Sequence, residues 1–179
     1  DVAAWLLVAG SALVLGVQVQ VLRGGAELHL VALALAAISW LVGNVLFARG
    51  VAMFDVVPFW VVFLVGTIAA ERLELTRLLP RSARSTALFV ALFALMLAGP
   101  PVALLARDTG LRLFGAGALG LSAWLFHFDV ARRTVKQPGM VRFIAVALLA
   151  GYAWLGLGGA LALIEGHPLA GPAWDALLH

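Results

Sequence analysis

Eleven of the 21 charged residues of this chain gather in two short stretches. In VGTIAAERLELTRLLPRSAR (65–84), Glu71, Arg72, Glu74, Arg77, Arg81 and Arg84 fall within 14 residues. In WLFHFDVARRTVKQPGMVR (124–142) stand Asp129, Arg132, Arg133, Lys136 and Arg142. Glu71, Glu74 and Leu78 share one helical stripe, and Glu74 and Arg77 are neighbours able to pair. Two carboxylates three residues apart could divide acid and base work. Here arginines surround them, which suits ion pairing better. The expected chemistry is a structural ion-pair network in which Glu71 or Glu74 meets Arg132 or Arg133 across two helices, with Asp129 beside them. The bland alternative is two solvated basic loops that set the orientation in a membrane.

The histidines are His29, His127, His167 and His179. Two imidazoles at one depth on different helices could ligate a haem iron or copper. None forms a local pair such as HxxxH. His29 reads as an interfacial side chain, His127 as part of the Asp129–Arg132 charge cluster, and His167, in Gly-His-Pro, as a loop residue. His179 opens a helix and is the leading candidate for a cofactor or metal ligand. There is no cysteine, hence no thiolate and no disulfide. No phosphate loop, nucleophile elbow or HExxH motif is present, so no catalytic residue can be named.

The elements that must position these residues are membrane spans. The chain is 64% hydrophobic and 12% charged, with a mean hydropathy of +1.07. A soluble domain carries about 25% charge. The pI of 10.6 comes from scarce acids rather than a basic patch, so nucleic acid is not an expected partner. Six stretches reach the ~20 apolar residues needed to cross ~30 Å of hydrocarbon: Val2–Leu22, Leu28–Ala48, Val56–Ala70 continuing as a charged helix to about Leu79, Thr86–Ala106, Leu111–Val130 and Val141–Ile164. Asp55 is a candidate N-cap, Pro58 is placed in the first turn, and Pro100–Pro101 should kink or end the fourth span near Gly99. The expected fold is all-α, a polytopic transmembrane helical bundle forming one domain over residues 1–179. The chain opens at Asp1 without Met and stops just as AWDALLH starts a seventh helix. It therefore reads as the N-terminal part of a longer protein, whose remaining helices and the lipid bilayer are its expected partners.

Nine cations fall in or beside the connections after spans one, three and five, and three on the other side. The bias puts the first set in the cytoplasm, with both ends outside. Spans five and six carry small residues four apart, including Ala116-xxx-Gly120, Ala147-xxx-Gly151, Gly156-xxx-Ala160 and Gly158-xxx-Ala162, and should pack as a close antiparallel pair. Trp5, Trp60, Trp124 and Trp174 fit interfacial belts, while Trp40 and Trp154 should face other helices. Polar residues within spans include Ser39, Asn44, Ser122 and Tyr152. No charge stands at mid-span, which disfavours an ion-coupled transporter.

AAERLELTRL, WLFHFDVARRTV, GYAWLGLGGAL and the closing WDALLH resemble a family of bacterial multi-spanning proteins similar to the NnrS family. NnrS proteins are haem- and copper-containing membrane proteins linked to nitric oxide stress and denitrification. The resemblance covers Thr67 to His179. It implies haem or copper as cofactor, with His179 as a ligand at the head of a His- and Gly-rich helix. Glu71, Arg72, Glu74, Asp129, Arg132 and Arg133 match the charged pattern without an assigned role. The competing readings are a transporter or channel component, and a membrane scaffold or assembly protein without catalysis.

Overall fold

The computed structural model describes residues 2–75 and 82–166. These residues form α1 (Val2–Arg23), α2 (Leu28–Ala48), α3 (Met53–Leu75), α4 (Ala83–Ala103), α5 (Arg107–Phe128), the short α6 (Ala131–Thr134) and α7 (Met140–Glu165), with no strand among them. Six of the helices are long and apolar enough to cross a membrane. At 1.5 Å per residue, the 22 residues of α1 rise about 33 Å, the thickness of a hydrocarbon layer. Closing every backbone hydrogen bond inside each helix is what lets such a chain enter lipid. The all-helical transmembrane class expected from the sequence is therefore the observed one. The expected seventh span, with Trp174 and His179, lies outside the described residues.

Helix ends follow local chemistry. Past α2, Gly50 takes φ +80°. Its N–H donates to the Phe47 carbonyl at 2.9 Å, and the Val51 N–H donates to Leu46 at 3.1 Å. That is a Schellman closure, which glycine makes without strain. α3 starts two residues before the expected cap, so Asp55 is not the N-cap. It stands in the first turn, where a carboxylate favours the helix dipole. Pro58 accordingly lies inside the helix rather than in its first turn. α4 is capped by Ser82, whose Oγ accepts from the Ser85 N–H at 3.2 Å. It does not end at Gly99 but runs through Pro100 and Pro101 to Ala103. Both prolines sit in the last turn, where they forfeit only bonds to the Met96 and Leu97 carbonyls, and their fixed φ is helical.

The described residues fall into two compact units that divide between Glu71 and Arg72. In the first, polar side chains tie the helices. Asn44 is 1% exposed. Its Nδ2 donates to the Leu7 carbonyl of α1 at 3.2 Å, and its Oδ1 accepts from Trp60 Nε1 of α3 at 3.0 Å. Ser39 Oγ donates to the Phe59 carbonyl at 2.9 Å. Trp40 stacks on Phe63 with ring centroids 4.5 Å apart, so it faces another helix as expected. Trp60 turns inward onto Asn44 and Phe47 rather than joining an interfacial belt.

In the second unit α5 runs between α4 and α7, and glycine sets both separations. A Cβ on Gly117 would lie 2.4 Å from the Met96 backbone nitrogen of α4. One on Gly115 would lie 2.5 Å from the Leu163 nitrogen of α7. The antiparallel α5–α7 seam is thus present, built from Gly115, Gly156 and Gly159. Gly120 belongs instead to the other face, against Leu92 of α4, and Gly151 meets nothing within 4 Å. Trp154, 52% exposed, faces outward rather than toward a helix, and Trp124, 2% exposed, is core rather than belt. Its indole Nε1 donates to the Ser85 carbonyl at 3.0 Å, a bond that draws it in.

The seams make a direct prediction. Gly117→Ala and Gly115→Ala each force backbone apart and should destabilise the protein by about 1–3 kcal/mol, the usual cost of overpacking. Gly151→Ala should leave the unfolding temperature in detergent unchanged. Equal melting of all three variants would contradict the assignment of faces.

A buried acid–phenol pair as candidate functional site

α5 stops at Phe128 and the backbone of Asp129 turns extended, at φ −72° and ψ 145°. Its N–H still donates to the Leu125 carbonyl at 2.9 Å. Carboxylate Oδ1 then accepts from the Ala131 N–H at 3.2 Å. An aspartate that bonds the backbone two residues on makes an Asx turn, and this one redirects the chain into α6. The second oxygen, Oδ2, accepts from the phenol of Tyr152 on α7. Tyr152 lies halfway along α7, and helical side chains lean toward the N-terminus of their own helix. Its ring therefore reaches back along α7 to the α5–α6 corner. Ser122 Oγ of α5 donates to the Tyr152 backbone carbonyl at 2.6 Å, which fixes the height of the tyrosine. The Phe126 ring meets it edge-on, with centroids 5.7 Å apart.

Asp129, Tyr152 and Ser122 are 4%, 3% and 4% exposed. A carboxylate at the edge of hydrocarbon is tolerable only with donors at both oxygens, and here it has them. Arg72 lies within electrostatic reach of the phenol. The arrangement joins three elements through one side chain. Every polar side-chain atom of the triad is committed to a partner inside the protein, so its chemistry is positional.

The remaining expected site residues are placed as follows. Glu71 is exposed and ends the first unit, while Glu74 is half-buried in the second. Arg132 and Arg133 are exposed on α6. Arg132 Nη1 donates to the His127 carbonyl at 3.1 Å, closing the end of α5. Asp129, expected within an ion-pair network beside Arg132 and Arg133, is buried and takes its hydrogen bonds from Tyr152 and the Ala131 N–H. His29 is half-buried, with Nδ1 3.6 Å from Glu27 Oε2. His127 is exposed and packs edge-on against Phe128. His167 and His179 lie outside the described residues. Each unit by itself holds one described histidine, so neither assembles a bis-imidazole ligand set among those residues.

The residue that sequence reasoning left unassigned is Tyr152. One signal was available: it is the only tyrosine in the chain, and a phenol inside a span needs a partner within reach. The opposite end of the seam carries a second tie. Arg112 pairs with Asp108 at 2.9 Å and donates from Nη1 to the Leu163 carbonyl at 2.9 Å, satisfying the last turn of α7.

The chain belongs to the family described as Domain of unknown function (DUF8744), whose profile matches residues 1–179. No curated protein and no solved structure matches it.

The pair can be measured by a double-mutant cycle. Tyr152→Phe leaves Asp129 Oδ2 buried without its donor, and Asp129→Asn weakens the acceptor. Each should cost about 1–3 kcal/mol, and the double variant should cost less than the sum. Strict additivity in reversible unfolding would dissolve the coupling.

Proposed function

We propose that this member of the DUF8744 family is a multi-pass protein of the bacterial inner membrane that serves as a helical scaffold without catalysis of its own. The observation that supports this is the closed bonding of Ser122, Tyr152 and Asp129. A buried acid that handled substrate would need an oxygen open to it, and both oxygens of Asp129 are taken by protein donors. The connections after α1, α3 and α5 face the cytoplasm in this reading, supported by nine cations near them against three on the other side. The scaffold's partner in this reading is the lipid bilayer.

The second reading is a haem- or copper-binding membrane protein tied to nitric oxide or respiratory metabolism. It rests on the resemblance of the ERLELTRL and DVARRTV stretches and on His179 as ligand. The histidines within the described part of each unit do not make a fit for either group, so no step is derived through one.

One preparation tests both. The protein purified from its host membrane should show substoichiometric iron and copper, no Soret band, and other membrane subunits at fixed ratio. A stoichiometric haem or copper would overturn the scaffold in favour of the metal reading. Orientation is tested separately, because the chain has no cysteine of its own. Gln137→Cys should react with an impermeant maleimide only from the cytoplasmic side; reaction only from the periplasm would invert the topology.

A further inference from the structure

Beside the acid–phenol pair, the second unit opens a groove of about 440 Å³. We propose that it is a binding site for an anionic phospholipid, with an acyl chain along its walls and the phosphate at Arg72. This rests on the membrane reading above and adds a ligand to it. The walls are apolar: Leu75 from the end of α3, Val130 from the α5–α6 corner, and Ile144 and Leu148 from α7. Leu75 and Ile144 are each 51% exposed, so the walls are open to a neighbour from the bilayer. The volume lies at the lower end of the ~300–1,000 Å³ typical of ligand clefts.

Charge complementarity selects the occupant. Arg72 lines the groove and is the only ionisable one among the described residues of its walls. Exposed Arg132 and Arg133 share α6 with the lining residues Ala131 and Thr134, and exposed Arg142 follows the lining residue Val141. Exposed Lys136 follows the end of α6 by two residues. Three carboxylates lie on the same segments. Asp129 is buried and bonded to Tyr152 and the Ala131 N–H, Glu71 precedes Arg72, and Glu74 precedes Leu75. Five cations against three carboxylates leave the groove's surroundings net positive. A guanidinium binds phosphate through paired N–H donors. A basic pocket between transmembrane helices at the cytoplasmic face is the recognised setting for anionic headgroups. A zwitterionic lipid offers the same chains but brings a cation into this field.

The pair next to the groove supports the site mechanically. Asp129 sets where α6 begins, and α6 carries two lining residues and two rim arginines.

The test is native mass spectrometry of the full chain released from detergent after equilibration with equimolar dioleoyl phosphatidylglycerol and dioleoyl phosphatidylcholine. The wild type should retain phosphatidylglycerol several-fold over phosphatidylcholine. Arg72→Gln should equalise the two, and Arg72→Lys should keep part of the preference. Ile144→Trp, which fills the groove from a half-exposed wall and leaves every charge in place, should lower phosphatidylglycerol retention several-fold while far-UV circular dichroism shows unchanged helix. Should Arg72→Gln fail to fold, the Ile144→Trp result decides. Equal retention of both lipids by the wild type overturns the site, as does a preference that survives both Arg72→Gln and Ile144→Trp. A lipid-free dimer would assign the groove to a second copy and overturn it too. Loss of the chain from carbonate-washed membranes would instead sink the membrane reading; equal lipid retention with the chain still in the membrane overturns the lipid site alone.

Discussion

Hydrocarbon offers no hydrogen bonds, so each polar group carried into it must bring or find a protein partner. Asp129 is the severest case among the described residues. Its carboxylate is 4% exposed and is satisfied by one backbone N–H and one phenol. Meeting that demand fixes three things together: where α5 ends, where α6 begins, and how far α7 is displaced along α5. The bond between Ser122 and the Tyr152 carbonyl sets the same displacement from the other side. Asn44 does comparable work in the first unit, where one amide meets Leu7 of α1 and Trp60 of α3.

Such bonds act over short distances and require the helices to lie close. In lipid there is no hydrophobic force to press helices together, so dispersion across close backbones must supply the attraction. Glycine makes the approach possible. Gly117 admits the Met96 backbone on one side of α5, and Gly115 admits α7 on the other. Small residues and polar ties are thus interdependent. The seam brings Ser122 and Asp129 within reach of Tyr152, and those bonds hold the seam in register.

The spans and their number were legible in the sequence, because length and hydropathy alone decide what can enter a bilayer, whereas the limits of α3, α4 and α5 lie two or more residues from those expected. α2 is observed over the very residues expected, and α1 differs by one at its end. The small-residue seam between α5 and α7 was also legible, since spacing by four is local information. What was not legible is which face each glycine serves. Gly120 was expected at the α7 seam and meets Leu92 of α4 instead, because helix rotation is fixed by neighbours and not by the helix itself. The prolines misled for a related reason: Pro100 and Pro101 break a helix only where later bonds depend on the ones they remove. The acid–phenol pair was hidden because its members are 23 residues apart on different helices. Asp129 stands in a run of charges that reads as an ion-pair network with arginines or as a solvated loop, and its burial follows from Tyr152 reaching across. Trp124 was misread likewise, since only a folded chain shows the Ser85 carbonyl waiting for its indole.

The central claim is that the Asp129–Tyr152 bond holds the α5–α6 corner onto α7. Amide hydrogen exchange of the intact protein in detergent tests it most directly, because the Ala131 N–H donates to the same carboxylate. In Tyr152→Phe, exchange across residues 129–135 should quicken by about tenfold or more relative to wild type, while exchange across α1 and α2 stays the same. A tenfold change corresponds to about 1.4 kcal/mol of local opening. Unchanged protection of residues 129–135 in the variant would show that the corner is held by other contacts and would contradict the account.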